Sequence, residues 1–253
     1  MTGRVVVAEF AKMRRLRTLP VLAVMVVGVV AFSSLTFTAP GFLDAVDDPD
    51  ARPWQWLLGG PALAVALISP LLLAIVAGRQ IDIEHQGNGW FLSQTSGVTA
   101  GGLCRAKFVA TGSLVAGATL AQSALVAALG WAVGISVDFP TGQWLGHTAS
   151  VLVINLVLLA LHILLSARVP NQLVSLGVGV LGTFVALTGT GLPPWIGHLL
   201  PPWSYYGLAI PVDLTEVGVV DLDPHHPSVI VLGVVGGAVF LALTRLFDRQ
   251  EAR

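Results

Sequence analysis

Residues Arg79 to Lys107 read RQIDIEHQGNGWFLSQTSGVTAGGLCRAK, a polar stretch between two long apolar runs, and its reading decides the fold. It carries Arg79, Asp82, Glu84, His85, Arg105 and Lys107. Charge at that density is too costly for hydrocarbon, so the stretch must face water or a partner protein. Around it the 253 residues are 55% hydrophobic and only 11% charged, against about 25% charged in soluble domains. Six apolar runs are near or above the roughly 20 residues that span a bilayer: Leu19–Thr38, Leu57–Ala77, Phe108–Val137, Leu145–Ala167, Leu173–Leu192 and Val229–Phe247. Barrels show alternating segments of about ten residues instead, so these runs predict helices. The expected fold is an all-α integral membrane protein, one transmembrane domain over residues 1–253.

Basic residues near the ends of spans set orientation. With both termini inside, Arg4, Lys12, Arg14, Arg15, Arg17, Arg79, Arg105, Lys107, Arg168, Arg245, Arg249 and Arg253 are cytoplasmic, and only Arg52 lies outside. The outer loops instead hold Asp44, Asp47, Asp48, Asp50, Asp138, Asp213, Glu216, Asp221 and Asp223, so the net charge of -1 hides a positive inside and a negative outside. This pattern predicts a multi-pass protein of a bacterial plasma membrane. Cys104 is the single cysteine and reads as a small core residue on the inner side. The first run is longer than a signal-peptide core of about 7–15 residues, so cleavage is not expected.

Ahead of that run, Val6, Phe10, Met13 and Leu16 share one helical stripe, and Glu9, Lys12 and Arg15 another. Residues 1–18 therefore read as an amphipathic helix in the headgroup plane, or as a positive flank that only fixes topology. Trp54 and Trp56 read as interfacial anchors, and Pro70 as a kink in the second span. Within residues 79–107, Gly87 and Gly89 break the helix before Trp90 and Phe91 and give a protruding knob with an apolar tip. A solvated loop and an intramolecular salt-bridged turn remain open alternatives. Asn155 and His162 read as interhelical hydrogen-bonding groups. Residues 192–227, with LPPWIGHLLPPWSYYGLAIP at their head, are too broken by proline to span. They read as short helices re-entering the outer leaflet as a lid, or as a surface belt of Trp195, Trp203, Tyr205 and Tyr206.

The E-x-x-K-x-R-R of Glu9, Lys12, Arg14 and Arg15, the D-x-E-H-x-x-x-x-W of Asp82, Glu84, His85 and Trp90, and Lys107 opening the third span resemble the ABC-2 type permeases of ABC exporters. Within that class the chain is most similar to the lantibiotic-immunity and bacitracin-resistance-like permeases. The resemblance implies an in-plane elbow helix at residues 1–18, carrying Glu9, Lys12, Arg14 and Arg15. It implies a coupling helix in residues 79–107 and six spans with both ends in the cytoplasm. A separate ATP-binding cassette ATPase would hold ATP and Mg, and a second permease, identical or a sister chain, would complete the unit in the bilayer. Asp82, Glu84, His85 and Trp90 would then form the ATPase-coupling surface, with Trp90 as apolar anchor and Asp82 and Glu84 as charged partners. Trp195, Trp203, Tyr205 and Tyr206 would gate the outer end of the path.

No G-x-x-x-x-G-K-[ST] occurs, so ATP hydrolysis by this chain itself is not expected, and no H-E-x-x-H suggests a metal protease. His225 and His226 are adjacent, a spacing that suits a solvated loop better than a shared metal ion. Nucleic-acid binding is disfavoured because the basic residues are spread along the membrane face. The leading function is thus an export permease for an antimicrobial peptide, drug or lipid, without catalytic or metal residues of its own. A membrane-embedded enzyme using His162, His198, His225 or His226, or an ion-coupled carrier, is the alternative.

Overall fold

A computed structural model describes residues 3–215 and 218–251; Glu216 and Arg253, counted above for orientation, lie outside the described residues. Helix α1 (Gly3–Arg15) turns at Arg17, which adopts a left-handed conformation, into α2 (Thr18–Ser34). There follow α3 (Pro53–Gln86), α4 (Gly89–Thr95), α5 (Ala100–Val133), α6 (Thr141–Arg168) and α7 (Gln172–Gly189). Two short helices, α8 (Pro194–Gly197) and α9 (Tyr205–Leu208), a hairpin of β1 (Val212–Thr215) and β2 (Gly218–Asp221), and α10 (His226–Glu251) complete the chain. Among the described residues six helices, α2, α3, α5, α6, α7 and α10, are long and apolar enough to cross a membrane.

Local chemistry sets the boundaries. Pro53 occupies the first turn of α3, where its missing N–H costs nothing. Thr99 caps α5 by accepting from the Gly102 N–H at 3.1 Å, and Asn171 caps α7 through Leu173 at 3.0 Å. The sequence places the second span at Leu57–Ala77, but α3 continues to Gln86 as one helix through Pro61 and Pro70.

Helix α3 is the axis of the bundle, packed on α2, α6 and α7, while α5 lies across α2 and α6 and α10 runs outside against α5 and α6. Leu73, Ala77, Ile81, Ile154 and Leu158 form the centre of the core and are fully buried. Helix α7 comes close because Gly179 faces α3: a Cβ there would lie 2.6 Å from that of Ala74. Leu181, Phe184, Val231 and Val234 point outward and are more than half exposed, as side chains bathed in lipid should be.

Alternate helix ends collect the charges. One end of the bundle holds α1, Arg79, Arg105, Arg168 and Arg245, and is called the basic end; the other holds Asp44, Asp47, Asp138, Asp213 and Asp221, and is called the acidic end.

At the acidic end two expectations are corrected. Trp54 is no interfacial anchor; it is fully buried, donates to the Val137 carbonyl at 2.9 Å and stacks edge-on against Phe139 and Trp144. An indole with an internal acceptor gains nothing from the headgroups. The mostly helical chain also contains a strand pair. β1 and β2 run antiparallel from Val212 opposite Asp221 to Thr215 opposite Gly218, tied down by an Arg52–Asp221 ion pair and by Gln143 donating to Asp221 at 2.9 Å.

Candidate functional site

The polar stretch folds as the last turns of α3, the crossing helix α4 and the first turns of α5. Gly87 ends α3, its N–H still bonded to the Ile83 carbonyl at 3.1 Å, and Asn88 takes a left-handed conformation that turns the chain into α4. Asn tolerates this backbone because its short polar side chain lowers the steric cost. Gly97, also at positive φ, turns the chain again before α5.

Helix α4 is short and two-faced. Trp90 is half-buried and packs against the core, whereas Phe91 and Leu92 are 66% and 59% exposed. The Trp90 indole N–H can only donate, so its 3.2 Å contact with Nδ1 of His85 makes that nitrogen the acceptor. Nε2 of His85 then donates to the Ser166 carbonyl at 3.0 Å. One imidazole thus ties α4 to the end of α6. Asp82, nearly one turn before His85 on α3, accepts from Gln86 at 2.6 Å and stays partly open beside Arg79 and Gln172 in a groove of about 460 Å³.

Beneath α4 lies a ring of four charges from three helices. Lys107 Nζ of α5 donates to Glu9 Oε2 of α1 and to Glu84 Oε1 of α3, both at 2.7 Å. Lys12 Nζ donates to Glu9 Oε1 at 2.7 Å and to Glu84 Oε1 at 2.8 Å. Lys107 is fully buried, Glu9 and Glu84 nearly so, and Lys12 closes the ring from the surface. Two acids and two bases sum to zero, the condition under which buried charges are tolerated. Burial pulls the Lys12 pKa down, but its hydrogen bonds to Glu84 and Glu9 outweigh that and hold the ammonium above the ordinary lysine value. A groove of about 590 Å³ between α1 and α4 opens onto this ring, lined by Arg4, Lys12, Glu84, Leu92 and Ser96.

The structure separates residues that the sequence grouped. Glu84 does not offer its charge to an outside partner; it is spent inside the ring, since leaving Lys107 buried without counter-charge costs far more than an exposed ion pair gains. Of the expected stripes on α1, Met13 and Glu9 turn into the bundle and Val6 and Leu16 are half-buried while Phe10 stays exposed, because α1 packs along α5, where Glu9 meets Lys107. Arg14 and Arg15 are exposed. Leu92 and Ser166 went unnoticed in the sequence: the first is one more apolar residue in a W-F-L run, and the second acts through its backbone carbonyl.

At the acidic end the four aromatic residues divide. Trp195 is 67% exposed, Tyr205 is half-buried beside His198, and Trp203 and Tyr206 are inserted into the helix bundle. Gly182 leaves the space that the Trp203 indole fills. Tyr206 donates to Asn155 Oδ1, and Asn155 donates in turn to Thr119 at 2.9 Å, joining α9, α6 and α5. Of the histidines weighed for catalysis, His162 contacts Ser175 at 3.1 Å, His226 contacts Ser150 at 2.8 Å, and His198 and His225 face each other at the surface. Among the described residues no group of His, Cys, Asp or Glu has the arrangement of a metal site.

A family model described as ABC-2 family transporter protein matches residues 5–186, from α1 into α7. No curated protein matches the chain.

Proposed function

We propose, since the chain belongs to the ABC-2 family of transporter proteins, that it is the permease of an ATP-driven exporter of amphipathic or hydrophobic cargo: an antimicrobial peptide, drug or lipid. Six membrane-crossing helices and that membership make it a multi-pass transport subunit that works with a separate ATPase. In our reading the basic end lies in the bacterial cytoplasm, where an ATP-binding cassette ATPase, carrying ATP and Mg, docks on α4. Two permeases and two ATPases form the unit, and the nearest functional kin are lantibiotic-immunity and bacitracin-resistance permeases. Residues 192–227 close the outer end of the path, and Trp203 and Tyr206 are the side chains that must leave the core for it to open.

The observation that carries this reading is the shape of α4. It exposes two large apolar side chains, Phe91 and Leu92, on a seven-residue helix held from behind by Trp90 and His85. Exposed apolar anchors on a rigid mount suit a protein interface, where a few such residues dominate binding. Phe91 and Leu92 are therefore the docking anchors, Asp82 is the flanking charge, and Trp90 and His85 support the mount.

Co-purification with the cognate ATPase tests the assignment. Phe91→Ser together with Leu92→Ser is expected to weaken ATPase retention about thirtyfold or more, since truncating an interface anchor costs about 2 kcal/mol or more and each 1.4 kcal/mol is tenfold. Wild-type retention and ATP-driven transport in that variant would move the docking site away from α4.

A further inference from the structure

His85 is half-buried where α3, α4 and α6 meet, and each of its ring nitrogens faces a group of fixed polarity. The Ser166 carbonyl can only accept. The N–H that would reach it from its own helix, four residues on, is missing because that residue is Pro170, so the carbonyl takes an outside donor, Nε2 of His85 at 3.0 Å. The Trp90 indole N–H can only donate, and at 3.2 Å it requires a bare Nδ1. Only the neutral imidazole with its hydrogen on Nε2 satisfies both. A proton added to Nδ1 sets N–H against N–H at the Trp90 contact. The contact with Ser166 survives it and strengthens, because the donor becomes charged and lies at the C-terminal end of α6, where a cation is favoured.

We propose that His85 is a proton-sensitive clamp on α4: neutral, it ties α4 to α6; protonated, it stays with α6 and releases Trp90. Histidine is the side chain whose charge ordinarily changes between about pH 5 and 8. The other charged groups around the clamp are carboxylates, which ordinarily titrate below that window, and lysines and arginines, which titrate above it. Helix α4 itself, GWFLSQT, has no titratable side chain. On α3, Asp82 is bonded to Gln86 beside Arg79, and Glu84 is paired with Lys107 of α5 and Lys12 of α1. At the start of α5 Arg105 is paired with Asp248, and at the end of α6 Arg168 lies over the Phe247 ring, 4.9 Å from its centre. Where α4 carries the ATPase, as proposed above, acid on that side loosens the mount; the release itself belongs to the permease alone and is tested without the ATPase.

The purified permease in lipid nanodiscs, carrying a nitroxide at Thr95→Cys on the exposed end of α4, is to be read by electron paramagnetic resonance at about pH 8 and about pH 5, with Cys104 buried and unlabelled. The mobile component is expected to rise about fivefold on acidification, the ratio that one hydrogen bond is worth, and to return to its starting value at the higher pH. In His85→Gln, whose amide keeps one acceptor and one donor but takes up no proton in this range, the immobile line shape is expected at both pH values. In Trp90→Phe the mobile line shape is expected at both. A line shape that does not change with pH in the otherwise native protein overturns the clamp, as does a mobile component that persists after return to the higher pH, which marks acid unfolding. An undiminished pH response in His85→Gln assigns it to another group, and an undiminished response in Trp90→Phe removes the Trp90 contact from it; either overturns the proposal.

Discussion

Lys107 is fully buried with two carboxylates, Glu9 and Glu84, each 2.7 Å away. Removing one member of the ring leaves another as buried charge without its partner. Lys107→Met should therefore destabilise the folded permease by about 3–5 kcal/mol, because it strands negative charge in a dry site. Lys107→Met combined with Glu84→Leu restores neutrality with the Glu9–Lys12 pair and should recover much of that loss. Thermal unfolding of the purified variants in one detergent checks the order; equal stability of Lys107→Met and wild type would mean that water reaches the ring. The sequence shows these charges but not their geometry. Glu9 and Lys12 are visibly one turn apart, yet a helical wheel says which residues share a face and not which face meets the protein. The partners that settle it lie 98 and 72 positions away in the chain.

Among elements, the acidic-end hairpin is the least legible. Val212–Thr215 alternates for only four residues and follows a proline-rich segment, too little pattern to outweigh a reading as loop. What holds it is tertiary, chiefly Asp221 between Arg52 and Gln143. Burial tends to raise the Asp221 pKa, but the hydrogen bonds from Arg52 and Gln143, with the Arg52 charge, outweigh it and lower the value below the usual 3.8. The carboxyl is mostly exposed, so solvent screening keeps the contribution small. A folded pKa below the unfolded one stabilises above the unfolded value and is lost as pH falls through the folded one. Val220→Cys labelled with a fluorophore should show constant anisotropy from pH 7 to about 4 and a drop below it, with Cys104 silent because it is buried. In Asp221→Asn the lower anisotropy is expected at every pH; a wild-type profile in that variant would show that the ion pair does not hold the hairpin. The spans, by contrast, were readable in number and position, because crossing lipid demands long unbroken hydrophobicity, although α3 ends nine residues past Ala77 and α5 begins eight before Phe108.

For the molecule as a whole, the axis α3 meets both ends of the bundle. At the basic end it holds Glu84 and His85; near its middle it supports α7 at Gly179, one turn from the Gly182 gap that receives Trp203. A movement of α4 would be passed to α3 and α6 through the Trp90–His85–Ser166 chain. Trp90→Phe keeps an aromatic ring, though a smaller one, and deletes the donor. It is expected to leave ATPase retention unchanged while lowering substrate-stimulated ATP hydrolysis in lipid, severalfold if one part-buried hydrogen bond of about 1 kcal/mol is forfeited. Unchanged stimulation would place the transmission path elsewhere.

The charge ring also governs how the chain is made. Glu9 and Glu84 leave the ribosome before Lys107 does, so each newly inserted α5 finds its counter-ions already waiting in α1 and α3. The order of synthesis thus places both counter-ions of Lys107 in the chain before Lys107 itself. A chain that starts after Glu9 would leave Lys107 with Glu84 as its one remaining counter-ion in the ring.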